Sequence, residues 1–104
     1  MIITSQHYLD DTIVDAKISA NNFEVFVSPM FEIDGDEYQV IIDGHHSFAA
    51  AMKCGVTPII TTMTVKDHDA IEFIKNGDVT GFLDVMHMGE GEYIDAITRK
   101  YVWY

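Results

Sequence analysis

The sequence predicts a small α+β or α/β domain, a mixed β-sheet with short helices that contains one β-α-β unit. Three observations predict it: short alternating apolar runs, an Asp34-Gly35 pair between two of them, and the stretch VIIDGHHSFAAAMKCG, residues 40–55. In that last stretch an apolar strand pattern passes through a glycine into an alanine-rich helical one. The chain has 104 residues and 48% hydrophobic content, which fits a single domain over residues 1–104 with one modest core.

Taken in chain order, Thr12 to Ile18 (TIVDAKI) alternates, with Val14, Ala16 and Ile18 on one face, and predicts a half-buried strand that ends at the Asn21-Asn22 turn. Phe23 to Val27 is aromatic and β-branched and stops before Ser28-Pro29, predicting a second strand. Met30 to Ile33 and Asp36 to Ile42 flank Asp34-Gly35, a pair that accepts the positive φ angles of a tight hairpin turn. The second arm is apolar on both faces near its end, as for a strand in the middle of a covered sheet.

From Phe48 the spacing becomes helical, with Phe48, Ala51 and Met52 on one face and Gly55 as the stop before Pro58. Ile59 to Val65 alternates as a strand, and residues 44 to 58 hold the crossover that a parallel pair needs. The expected β-α-β unit therefore carries His45 and His46 in its first loop. Asp67 can cap a helix through about Lys75, and Asp78 a second one in which Val79, Phe82, Leu83 and Met86 share a face. The tail EYIDAITRKYVWY predicts a terminal strand or hairpin.

Seventeen acidic residues against six basic ones give a formal charge of -11. That opposes direct nucleic-acid binding, because phosphate neutralisation by Lys and Arg supplies most of such affinity. It suits solubility, cation binding or a basic protein partner. Cys54 is the only cysteine, so no internal disulfide forms and a reducing cytoplasm is the natural compartment. The start MIITSQHYLDD lacks the pattern of a signal peptide, and no apolar run reaches the ~20 residues of a membrane helix.

Chemistry concentrates at residues 43–47. A strand end, a glycine turn and a helix start present backbone N–H groups and partial positive charge, a natural site for phosphate. Gly44 would let the backbone approach a ligand, His45 and His46 could donate hydrogen bonds or move a proton, and Ser47 adds a hydroxyl. Asp43 could hold Mg²⁺ beside a phosphate, or instead accept bonds from the loop's own amides. Taken singly, these residues also have plain structural roles: Gly44 makes the turn, Ser47 caps the helix, and the histidines fill a corner. Their coincidence at the C-terminal end of a sheet strand, where open sheets place ligands, favours a site.

Elsewhere the expectations are structural. Cys54 and the methionines at 52, 63 and 86 are expected to pack in the core. The acids Glu32, Asp34, Asp36 and Glu37, like Glu90 and Glu92, are expected to be solvated. His7, His68 and His87 are too scattered to build a zinc site with the adjacent pair.

At DGHHSFAAAMKCGVTP the sequence resembles the ParB/sulfiredoxin superfamily, whose members carry a DGHHR-like, GERR-like or GCHR-like motif between a strand and an Ala-rich helix. The match covers about residues 38 to 65, and the chain looks like the short ParB-like proteins of phages and mobile elements. In the family this loop binds nucleotide phosphates, and its members include CTP-dependent partition proteins, an ATP-dependent sulfinic-acid reductase, a free-serine kinase and nucleases. By position Gly44 matches the motif glycine, Asp43 the acid of DGHHR, and His46 its histidine. His45 stands at the cysteine of GCHR or the glutamate of GERR, and without that cysteine the reductase reaction is not inherited. Ser47 replaces the arginine that would clamp phosphate bidentately.

The resemblance implies a ParB/sulfiredoxin-like domain that binds a nucleotide or other phosphate-bearing small molecule, with Mg²⁺, at Asp43 to Ser47. Gly44, His45, His46 and Ser47 would contact phosphate; His45 and Asp43 would serve a phosphotransferase or hydrolase reaction if one occurs. The alternative is a non-enzymatic acidic interaction protein, a phage or mobile-element accessory of DNA-mimic type, built on a degenerate nucleotide-binding fold.

Overall fold

The computed structural model describes residues 1–87 and 92–103. In chain order its elements are β1 (Ile2–Thr4), α1 (Asp11–Ser19), β2 (Glu24–Val27), β3 (Phe31–Ile33), β4 (Asp36–Asp43), α2 (His45–Cys54), β5 (Ile59–Thr62), α3 (Ile71–Lys75), α4 (Val79–Met86) and β6 (Ile94–Asp95). The expectation on Glu90 lies outside the described residues.

Asp34 and Gly35 both take positive φ, 53° and 87°, so the chain reverses tightly and pairs Ile33 with Asp36 and Phe31 with Tyr38. The hairpin is the one its sequence predicts, and Glu32, Asp34, Asp36 and Glu37 at its tip are all exposed. Its second arm, β4, is the axis of the sheet. The strands lie in the order β5-β2-β4-β1-β6, with β3 also on β4. Pro29 separates β2 from β3, and Ser28 repairs the ladder there. Its N–H donates to the Val40 carbonyl (2.9 Å) while its hydroxyl accepts from the Val40 N–H (3.0 Å).

Both faces of β4 are covered. Tyr38 and Val40 join Ile3, Phe31, Ile71, Phe82, Met86 and Tyr93 in one cluster, whereas Ile41 joins Val25, Val27, Phe48 and Ala96 in another. Successive residues of a strand point to opposite faces, so the continuous apolar run of β4 is what a doubly covered strand requires. The short helices α3 and α4 contribute to the first layer and α2 to the second. Asp78 caps α4 by accepting the Gly81 N–H at 2.9 Å, and Phe82 and Met86 are buried as their spacing predicts.

Four expectations are corrected. Residues 12–18 are helix rather than strand. Asp10 accepts the N–H of Thr12 (2.8 Å) and of Ile13 (3.4 Å), an N-cap that decides the conformation, and the buried or half-buried residues Val14, Lys17 and Ile18 follow the helical spacing while Ala16 is exposed. The β4-α2-β5 segment is not a parallel β-α-β unit. β2 lies between the two strands, antiparallel to β4 and parallel to β5, so the parallel pairs are β2 with β5 and β1 with β4.

Asp67 does not cap α3, because its carboxylate accepts from the N–H and hydroxyl of Thr64 (2.7 and 3.1 Å), and the helix starts at Ile71. Cys54 and Met52, on the last turn of α2, are exposed, whereas Met63 is half-buried and Met86 buried. The strand β1, which no sequence pattern marks, lies inside the sheet between β4 and β6. Three residues are too few to display a period, yet Ile3 is fully buried and pairs in register with Val40.

The tail closes the structure. β6 pairs antiparallel with β1, and Ile94 bridges to Tyr101 as a small hairpin. Tyr93 is buried, donates its hydroxyl to the Leu83 carbonyl at 2.6 Å, and stands edge-on to Trp103 at 6.0 Å. Burial, and secondarily the charge of Asp84, push its hydroxyl from 10.0 up to about 12. The folded state therefore holds that proton more tightly than the unfolded chain does. The corresponding stability is complete below pH 10 and is lost as the pH rises toward 12. Urea titrations across that window should show unfolding free energy falling in the native protein and a shallower fall in Tyr93→Phe.

Candidate functional site

Asp43 is the last residue of β4 and is exposed, with its Oδ1 accepting the Gly44 N–H at 2.8 Å. Gly44 then takes φ 92° and ψ 27°, and α2 begins at once. A Cβ on Gly44 would lie 2.6 Å from the Glu24 carbonyl oxygen and 3.0 Å from the Val25 Cα. Glycine is required here on two grounds, a left-handed backbone and the contact with β2. The close approach it permits is to the sheet. This early start also corrects the expected helix boundary: His45, His46 and Ser47 form the first turn of α2, not a loop before Phe48.

Those three residues diverge. His45 is 9% exposed and lines a hollow of about 210 Å³ with Leu9, Phe48, Ala96 and Arg99. His46 is half-buried, and its Nε2 accepts the Asp10 N–H at 3.2 Å. A ring nitrogen that accepts carries no proton, so this bond assigns the ring proton of the neutral imidazole to Nδ1. Ser47 is 2% exposed and donates to Asn22 Oδ1 at 3.4 Å. It does not cap the helix, because the cap position belongs to Gly44, which has no side chain to offer.

Asp43, Gly44, His45 and His46 do meet, together with Gln6, Ile13, Lys17 and Ile42, around a cleft of about 310 Å³. Ser47 is not among its lining residues. Two helices shape this cleft: α2 points its first turn at it, and α1 supplies Ile13 and Lys17, which sit one turn apart and so share a face. Read as a strand, the same segment gives Lys17 no relation to the motif. Its signal was the Asp10-Asp11 start of a helix.

The first-turn N–H groups of a helix have no acceptor within the helix, and at α2 the cap residue Gly44 has no side chain to offer them. With the Lys17 ammonium they give this end of α2 a local positive character on an acidic chain. The exposed Asp43 carboxylate is the counterweight and, among the described residues, the only carboxylate lining the cleft. Among the described residues no three of His, Cys, Asp and Glu converge on a common point. A cation here would lean on Asp43, on water and on the ligand's own oxygens, the usual habit of Mg²⁺.

Two substitutions test this geometry. Gly44→Ala should destabilise the fold by about 2 kcal/mol or more, from the left-handed backbone and the clash with Glu24. Ser47→Arg, the change that would restore the family's clamp, should cost about 3 kcal/mol or more, because it forces a charge into a site that is 2% exposed. Urea-unfolding midpoints measure both, and wild-type stability in either variant would contradict the packing described.

No family model, no curated protein and no solved structure matches the chain.

Proposed function

We propose that the protein binds a small phosphate-bearing ligand, with a nucleotide accompanied by Mg²⁺ as the leading member of the class, in the cleft at Asp43–His46. One observation carries this reading: the glycine-led start of α2, Gly44 to His46, lines the same 310 Å³ cleft as Lys17. Backbone N–H groups, the helix dipole and one cation form a common way of holding phosphate. Lys17 takes the part of the absent motif arginine, as a point charge in place of a bidentate fork. His46 Nδ1–H is the donor that its bond to Asp10 leaves over.

The neighbouring hollow shares His45 with the cleft and is lined mainly by apolar groups, a place for the organic body of the ligand. The resemblance of DGHHSFAAAMKCGVTP to ParB/sulfiredoxin motifs points the same way. Phosphotransfer or hydrolysis is the reaction class that His45 as proton carrier and Asp43 as Mg²⁺ ligand would serve.

A second reading rests on the β3–β4 tip, where Glu32, Asp34, Asp36 and Glu37 are all exposed and Glu32 stands opposite Glu37 in the ladder. A rigid hairpin carrying four carboxylates suits a basic protein partner, as in a DNA-mimic accessory. Titration with an oligolysine peptide at low and physiological salt separates the two readings. Shifts confined to the tip amides, and lost with salt, favour the partner.

For the leading reading, calorimetry with CTP, ATP and inorganic phosphate, each with Mg²⁺, is decisive. Lys17→Met should weaken binding about tenfold or more without changing the melting temperature, the loss expected for one hydrogen bond to a charged group. His46→Ala should weaken binding and also lower stability by about 1 kcal/mol, because the Asp10 N–H loses its acceptor. No heat from the native protein at millimolar ligand would overturn the proposal.

A further inference from the structure

A larger cleft than the one at Asp43–His46 lies where the chain leaving β5 passes α3. It has a volume of about 520 Å³ and is lined by Pro29, Met63, Val65 and Ile71 together with Lys66 and Lys75. Ile71 is 1% exposed and belongs to the main core cluster, against which Met63 and Val65 also pack, so the floor is a fixed apolar surface.

The charge of the cleft is the reverse of the chain's. The molecule carries 17 acidic residues and six basic ones, yet two of those six line this cleft and, among the described residues, no carboxylate does. Neither lysine takes part in an ion pair among the described residues; the pair found there joins Lys53 to Asp15. The nearest acid in sequence, Asp67, is already engaged by Thr64.

We propose that this cleft is a second ligand site, for a small amphipathic anion: an apolar body with a carboxylate or phosphate head. Its volume is in the range of small-molecule pockets. The apolar floor takes the body, which loses water on burial. The ammonium groups of Lys66 and Lys75 face no competing carboxylate in the cleft and take the head. A neutral apolar ligand would leave both charges unused, and a nucleic-acid strand would meet the field of an acidic chain on leaving the cleft.

The test uses the full chain with octanoate and octyl phosphate as probes, octanamide as the neutral comparison, and the methionine methyl resonances as reporters. Both anions should shift the Met63 methyl saturably, and octanamide should bind about tenfold more weakly or worse. The double variant Lys66→Gln/Lys75→Gln should keep the native melting temperature, since both residues are exposed, and should bind all three probes alike.

Equal affinity of the native protein for octanamide and octanoate would overturn the proposal. So would a double variant that still prefers the anions, or an unmoved Met63 methyl alongside a shifted Met52 methyl, which would place the probe in the hollow beside His45. The readout is independent of the cleft at Asp43–His46. Phosphate binding there can fail while this site stands, and the reverse holds too.

Discussion

The contact between Gly44 and the backbone of β2 is the constraint on which the candidate site depends. Only a hydrogen fits between the Gly44 Cα and the Glu24 carbonyl, so α2 leaves the sheet at one fixed place and angle. Once that start is fixed, helical geometry sends the next three side chains in different directions. One enters the apolar hollow, one reaches the N-terminus of α1, and one turns inward to Asn22. The two adjacent histidines have unequal surroundings for this reason, and neither position can be exchanged for the other.

The bond from the Asp10 N–H to His46 extends this constraint to α1. Asp10 uses its side chain to cap α1 and its own N–H to meet α2, so the starts of the two helices are tied at one residue. Lys17 is brought to the cleft by the same helix. The Lys53–Asp15 pair at the far end of α2 adds little, because both side chains are more than half exposed and screened by water. The helix layer is held by polar bonds near the cleft and by apolar contact with the sheet beneath. A ligand at Asp43–His46 would therefore bear on the packing of both helices.

Much of this was legible in the sequence where the local signal and the tertiary demand agree. The Asp34-Gly35 turn, the doubly apolar β4, the Gly55 stop and the Asp78 cap each follow from residues adjacent in the chain. Two kinds of feature were not legible. One was a local signal that competes with another: TIVDAKI alternates like a strand, and its preceding Asp10 decides for helix only because α2 offers a surface to pack on.

The other was long-range pairing. That β2 inserts between β4 and β5, or that Ile3 pairs with Val40 inside the sheet, follows from contacts across tens of residues which no local pattern encodes. The site shows the same division. Asp43 to His46 stood out as a motif and do line one cleft, while Lys17 and Gln6 enter it only through tertiary structure. Ser47, which belongs to the motif by sequence, leaves it by burial.

The net charge of -11 is compatible with anion binding once distance is considered. At physiological ionic strength exposed charges are screened beyond about 8 Å, so a ligand a few ångströms across responds mainly to the groups lining its own pocket. A polyanion spans many screening lengths and meets the whole surface. The same chain can therefore place lysines in two small hollows, Lys17 beside Asp43 in one and Lys66 with Lys75 in the other, despite its acidic total. For the two proposed sites the placement of three lysines weighs more than the sum of all the charges, and each of the three lines a cleft.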